Sequence, residues 1–258
     1  MKIQLLPSTF DSAGRATLEQ RLTCFLIDDR VAVDAGSIAL ALTDAQHETL
    51  RDIIVTHPHM DHMATLPIYI DDMFALLKEP IRVHATEEVI ELLQRDVFNW
   101  TVYPRFSELS NGTCKVMEYA PFRPGEEFTV AHLKVTALPV NHIVPTVGLL
   151  VSDGRVAVAF TSDTAATEDF WQLVNHAPAL AALFIEASFP NSMSKLADVS
   201  GHLTPAGVAV ELGKLTHNHL DVLAVHLKPS YRQTLVEELN ALGIPRLHAM
   251  EPGREYEW

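Results

Sequence analysis

The sequence predicts an α/β fold in which two sheets form a sandwich with helices outside, within one domain spanning residues 1–258. Three observations predict it. Short runs that read as strands come first, and helical and strand patterns alternate later. That order occurs twice, which suits two sheets better than one parallel sheet. Neither a repeat at solenoid spacing nor a low-complexity linker interrupts the chain, so nothing marks a domain boundary.

Residues 2–6, 23–28 and 31–33 read as short strands, the last two joined as a hairpin through Asp28-Asp29. Residues 15–21 read as an irregular loop. Residues 37–46 fit a helix and 52–55 a buried strand. Residues 66–77 are apolar at helical spacing, with Asp71, Asp72 and Lys78 polar. Residues 81–84 alternate as a strand, and 87–97 form a helix with Thr86 as its N-cap. Phe98, Trp100, Tyr103 and Phe106 make an aromatic stretch broken by Pro104. Such a stretch is a packing surface, or a wall for a substrate or a second subunit. Residues 113–119, 128–138, 146–151 and 155–160 read as strands, with Asp153-Gly154 turning between the last two. A short helix over 170–175 and a strand over 183–185 follow. Thr204-Pro205 opens a helix over 205–215. A strand over 222–225 precedes a helix over 231–242 that ends at Gly243. The tail from Arg246 is short and ordered by packing.

The formal charge of −14 and the lack of any run of Lys and Arg argue against a basic groove that tracks a nucleic-acid backbone, so no long nucleic acid is expected as partner. A small anionic substrate gathered by metal ions remains compatible, because bound divalent ions dominate the local field. Two cysteines, Cys24 and Cys114, cannot build a disulfide framework and read as small buried hydrophobes. The start lacks a signal-peptide pattern, and no stretch approaches the roughly 20 apolar residues that span a bilayer. A cytoplasmic protein away from membranes is the expectation.

The chemistry concentrates in His57-Pro58-His59-Met60-Asp61-His62, three imidazoles and a carboxylate after the strand 52–55. Loops at strand ends are where open α/β folds carry their sites. Neutral imidazole and carboxylate are ligands for zinc and similar ions. A single histidine is usually a surface residue, but four potential ligands in six residues point to metal. Three further groups stand just past apolar runs: His142 in Val140-Asn141-His142, Asp163 in Thr161-Ser162-Asp163-Thr164, and His226 after 222–225. Added to the cluster, they suit a two-metal site. Asp34, in Asp34-Ala35-Gly36, either caps the following segment or leans toward the histidines. His84 has no ligand type beside it and reads as structural. His47, His132, His176, His217, His219 and His248 have no ligand context either.

HxHxDH after a strand, then a distant His, an Asp and a final His, resembles the metallo-β-lactamase superfamily along nearly the whole chain. The resemblance implies an αβ/βα four-layer sandwich of two mixed sheets with outer helices. It implies two divalent ions, zinc first, with manganese or iron acceptable. His57, His59 and His142 would hold one ion, Asp61, His62 and His226 the other, and Asp163 would bridge them. Asp34 matches an Asp that the family keeps behind the ligands, orienting the loop or a ligand. Asp163 in place of the cysteine of common β-lactamases favours hydrolysis at phosphorus.

Glu186 within Ile185-Glu186-Ala187-Ser188-Phe189-Pro190-Asn191, and His202 within Ser200-Gly201-His202-Leu203-Thr204-Pro205, resemble class II cyclic-nucleotide phosphodiesterases. So do Val97-Phe98-Asn99-Trp100, Tyr103-Pro104-Arg105-Phe106 and Asn141-His142-Ile143-Val144-Pro145-Thr146-Val147-Gly148. His202 could instead be a residue beside the helix cap Thr204, but Glu186 offers the partner that a proton donor needs. The chain departs from the family at Met60, usually Leu, and Thr65, usually Gly or Ser. The expected activity is hydrolysis of a 3′,5′-cyclic nucleotide to the 5′-monophosphate by a hydroxide shared between two ions. His202 would be the proton donor, Glu186 its partner, and Asp61 both a ligand and part of the reacting site. A tRNA 3′-processing type of endonuclease is the runner-up, and a metal-containing binding or sensing module the alternative from another class. The resemblance also implies a homodimer, with residues 66–106 as the candidate interface.

Overall fold

Two mixed seven-stranded sheets organise the chain in the computed structural model, which describes residues 1–258. The strands are β1 (Lys2–Leu5), β2 (Phe25–Ile27), β3 (Val31–Val33), β4 (Asp52–Ile54), β5 (Ile81–Ala85), β6 (Met117–Pro121), β7 (Glu127–Val130), β8 (Leu133–Pro139), β9 (Val147–Ser152), β10 (Ala157–Phe160), β11 (Leu180–Glu186), β12 (Asp221–Val225), β13 (Leu247–Ala249) and β14 (Glu255–Glu257). One compact unit comprises residues 1–18, 22–123 and 252–257, and the other comprises residues 19–21, 124–251 and 258.

The sheet of the first unit runs β14-β1-β2-β3-β4-β5-β6. Its pairs are antiparallel up to β3 and parallel from β3 to β6. Val31–Val33 and Asp52–Ile54 are buried at every position, as parallel strands covered on both faces require. Ile53, Val83, Tyr69, Phe98 and Phe106 anchor the core of this unit. The sheet of the second unit runs β13-β12-β11-β10-β9-β8-β7, parallel from β13 to β10 and antiparallel beyond. Its core centres on Phe170, Trp171, Ile185 and Leu235.

Several element boundaries differ from the sequence expectations. Residues 37–46 form two helices, α1 (Ile38–Ala41) and the start of α2 (Asp44–Thr49). The break is at Thr43, whose hydroxyl accepts from Gln46 N while the Gln46 side chain accepts from Thr43 N, so a new helix begins there. The His-rich segment after β4 runs into α3 (Met60–Met63), and α4 (Leu66–Met73) stops earlier than expected. After α5 (Glu87–Leu92) the expected helix widens into a π turn over Leu93–Val97. Residues 128–138 are two strands, β7 and β8, joined at Ala131 and His132, where Ala131 has φ +51°. No glycine announces that turn. Strand β6 begins at Met117 rather than at 113.

In the second unit the helices are α6 (Asp169–His176), α7 (Ser194–Ser200), α8 (Pro205–Leu212) and α9 (Arg232–Ala241). Helix α7 was not expected from the sequence, and the tail supplies two strands, β13 and β14. The aromatic stretch divides: Phe98 and Phe106 are core, in edge contact at 5.9 Å, while Trp100 is exposed. No helix is long and apolar enough to cross a membrane.

His84 takes a structural place. Its Nε2 lies 2.8 Å from Asp52 Oδ1, and Arg82 donates to both oxygens of the same carboxylate at 2.7 and 2.8 Å. Burial alone would raise the Asp52 pKa, but these bonds outweigh it and push it down to about 2. A depressed carboxylate stabilises the fold above its unfolded pKa of about 4, and that contribution is lost as pH falls toward 2. Asp52→Asn is expected to cost about 2 kcal/mol at pH 7. Urea unfolding should show the gap between variant and parent closing as pH falls through that window.

Candidate metal centre

Several residues of the candidate site stand at or just past carboxyl ends of parallel strands, the edge where α/β sheets carry chemistry. Asp34 follows β3, Thr56 and His57 follow β4, Ser162 and Asp163 follow β10, Glu186 closes β11, and His226 follows β12. Three of these positions hold a left-handed backbone without being glycine: Asp34 at φ +62°, Ser162 at +55° and His226 at +58°. Such conformations are costly and persist where surrounding bonds over-determine them.

In the first unit, Asp34 is the anchor. Its Oδ2 accepts from His62 Nδ1 at 2.7 Å. The Thr56 hydroxyl lies 3.0 Å from both Asp34 oxygens and 3.0 Å from His57 Nδ1. An ionised carboxylate only accepts, so Thr56 donates to Asp34 and accepts from His57. Asp34 therefore fixes both rings, one directly and one through a hydroxyl. Donor atoms of Asp34, His57 and His62 lie within 4.8 Å of one another, as do those of His57 with His59 and of Asp61 with His62.

Gly36 sets how closely this loop is drawn in. A Cβ placed there would stand 2.0 Å from the Asp61 carbonyl oxygen and 2.7 Å from Thr23 N. Both contacts are backbone and cannot swing away. Gly36→Ala is expected to displace the Asp61 loop and lower stability by about 3 kcal/mol. Thermal unfolding of the metal-free variant, compared with the metal-loaded one, measures both effects.

In the second unit, Glu186 is the anchor and is fully buried. Its Oε1 accepts from His202 Nδ1 at 2.8 Å and from Thr164 N at 3.0 Å, and its Oε2 accepts from the Ser188 hydroxyl at 2.8 Å. His226 Nδ1 lies 2.8 Å from Ser188 Oγ, which leaves its Nε2 3.5 Å from Asp163 Oδ2. His142 Nδ1 donates to the Gly201 carbonyl at 2.8 Å. Gly201 has φ +69°, and a Cβ there would come within 2.9 Å of His142 Nδ1. The residue beside His202 thus also seats His142. Donor atoms of His142 with Asp163, of Asp163 with His226, and of Glu186, His202 and His226 lie within 4.8 Å.

These donors fit a divalent ion. In His57, His62, His142 and His226 an oxygen acceptor occupies Nδ1, so the tautomer that results offers the Nε2 lone pair to a metal. Burial holds His142 below the ordinary imidazole range, against the bond to Gly201, and the neutral ring is the ligating form. His202 behaves differently. Burial alone would lower its pKa, but the bond and charge of Glu186, with the charge of Asp163, outweigh it and raise the value. It is an imidazole prepared to carry a proton.

Thr56, Ser188, Gly36 and Gly201 are the site residues that sequence reasoning missed. Ser188 carried one usable signal: it stands two residues after Glu186 just beyond a strand, so the two share a face. Among the histidines without ligand context, His47 stacks on Tyr69 at 5.8 Å and His176 donates to Gln172 O at 2.6 Å.

The chain belongs to the β-lactamase superfamily, whose family model matches residues 29–227. A Yersinia pestis protein named as a probable 3′,5′-cyclic-nucleotide phosphodiesterase is 25% identical over 236 residues, covering 78% of this chain and 67% of its own length. Two solved structures share the fold. Unliganded yeast PDE1 superposes with a TM-score of 0.78 at 17% identity, covering 98% of each chain. The metallo-β-lactamase-fold protein YhfI from Bacillus subtilis gives 0.75 at 17% identity, covering 100% of this chain and 98% of that one. Family, fold and clusters together define a metallo-β-lactamase-fold hydrolase suited to divalent metal.

Proposed function

We propose that this protein is a metal-dependent phosphodiesterase that opens a 3′,5′-cyclic nucleotide to the 5′-monophosphate. Residues 1–258 serve as one hydrolase domain. His57, His59 and His142 hold one divalent ion, Asp61, His62 and His226 a second, and Asp163 serves both. Asp34 orients the ligands of the first unit. Zinc is the first choice for this nitrogen and oxygen set, with manganese or iron acceptable. When bound, such ions neutralise phosphoryl oxygens and supply hydroxide near neutral pH.

The observation that carries the proposal is the buried pair of His202 and Glu186, 2.8 Å apart. His202 is an imidazole outside the ligand set, and its Nδ1 is occupied by a carboxylate. Its Nε2 is then the nitrogen that gives a proton to the leaving 3′ oxygen. The Yersinia relative supports the cyclic-nucleotide class by name. The charge of −14 disfavours a tRNA-processing endonuclease. Free thiols at Cys24 and Cys114 suit a reducing cytoplasm. Exposed Ile68, Leu76, Trp100 and Val102, within residues 66–106, support a homodimer through that stretch.

The test is incubation of metal-loaded protein with 3′,5′-cyclic mononucleotides and, separately, with a bis-nitrophenyl phosphate dye. The expected product is the 5′-monophosphate, abolished by a chelator. Turnover of the dye alone would move the substrate to another phosphodiester. Turnover of neither would favour a non-catalytic metal module.

A further inference from the structure

Each unit uses one buried carboxylate to hold two imidazoles, the first directly and the second through a hydroxyl. In the first unit the carboxylate is Asp34, the hydroxyl Thr56, and the rings His62 and His57. In the second the carboxylate is Glu186, the hydroxyl Ser188, and the rings His202 and His226. Both rings of the first pair are proposed ligands. The second pair joins a ligand to a ring that is not one.

Resting on the phosphodiesterase function above, we propose that Ser188 is a positioning residue that ties the His226 ligand and the His202 proton donor to the single carboxylate of Glu186. Ser188 is completely buried and has one proton to give. Glu186 Oε2, at 2.8 Å, takes it, so the Ser188 lone pairs receive the His226 Nδ1 proton, also at 2.8 Å. His226 is thereby fixed as the Nδ1–H tautomer with Nε2 as donor atom. The same hydroxyl lies 3.4 Å from the His226 carbonyl oxygen, where the backbone is left-handed at φ +58°. With its proton given to Glu186, Ser188 restrains the His226 ring and not the carbonyl. Glu186 Oε1 meanwhile holds His202 and, through Thr164 N, the loop of Asp163. The residue next to the shared ligand, the second ligand and the proton donor all converge on one side chain.

Ser188→Ala tests the role. Zinc titration against a chromophoric chelator is expected to show two sites in the parent, and in the variant one site weakened about 10–100-fold with the other unchanged. Unchanged affinity at both sites would overturn the proposal. Imidazole nitrogen NMR of the metal-free protein gives a readout independent of activity, and its measurement on the parent is independent of how the variant folds. The parent should show His226 as the Nδ1–H tautomer, and Ser188→Ala should show a mixture. A parent His226 protonated at Nε2, or an unaltered tautomer in a folded variant, would refute it. A parent that binds fewer than two ions while keeping the Nδ1–H tautomer would overturn the two-ion reading and, with it, the link from Ser188 to metal. Two ions with the wrong tautomer would overturn the Ser188 role alone.

Discussion

His202→Ala is expected to keep its metal content and to lose about 10²–10⁴-fold in the rate of cyclic-nucleotide hydrolysis. The ring donates its Nδ1 proton to Glu186 and lies with that nitrogen 4.0 Å from Asp163 Oδ2, and His202 itself is 9% exposed. The size of the loss should depend on the leaving group. A ribose 3′ oxygen departs as a strong base and needs the proton. A nitrophenolate departs without one, so the variant should keep most of its activity on the dye. Steady-state rates on both substrates separate a proton donor from a residue that merely props the site. Equal losses on the two would assign His202 a structural role, and normal turnover of the cyclic nucleotide would remove it from the mechanism.

Asp163→Ala is expected to strip the protein of ordered metal and to abolish turnover. Asp163 is almost fully buried at the end of β10, with Oδ2 3.5 Å from His226 Nε2 and donor atoms within reach of His142. Loss of an outer hydrogen-bond partner costs about 10–100-fold in metal affinity. Loss of a ligand shared by two ions should cost more than that at both. Asp163→Asn separates charge from shape, since the amide keeps one acceptor oxygen and loses the negative charge. Metal counts on the purified variants, with zinc in excess during loading, measure the effect. Unchanged metal content in Asp163→Ala would refute the shared role.

The parts of the site legible in the sequence were those fixed by local spacing. Three imidazoles and a carboxylate within six residues declare themselves, and His142, Asp163 and His226 follow because each stands just past a strand. Glu186 and His202 were legible by resemblance, and the structure joins them at 2.8 Å. Thr56 and Ser188 were not, because hydroxyl residues have many uses and only tertiary contact reveals a carboxylate behind them. Gly36 carried no signal of its own beside Asp34, whereas its role is the approach of the Asp61 backbone. The fold shows the same division. Central strands such as Val31–Val33 read correctly from their apolar runs. The hairpin at Ala131-His132 lacked a turn signal, and β14 exists by pairing with β1 from the opposite end of the chain, a contact with no local trace.

The central proposal is that this chain binds two divalent ions. Elemental analysis of the purified, zinc-loaded protein tests it most directly. Two ions per chain are expected in the parent, with His57→Ala in the first unit and His226→Ala in the second each lowering the count. A parent that holds no more than one ion at saturating zinc, or that keeps two when either histidine is removed, would contradict it.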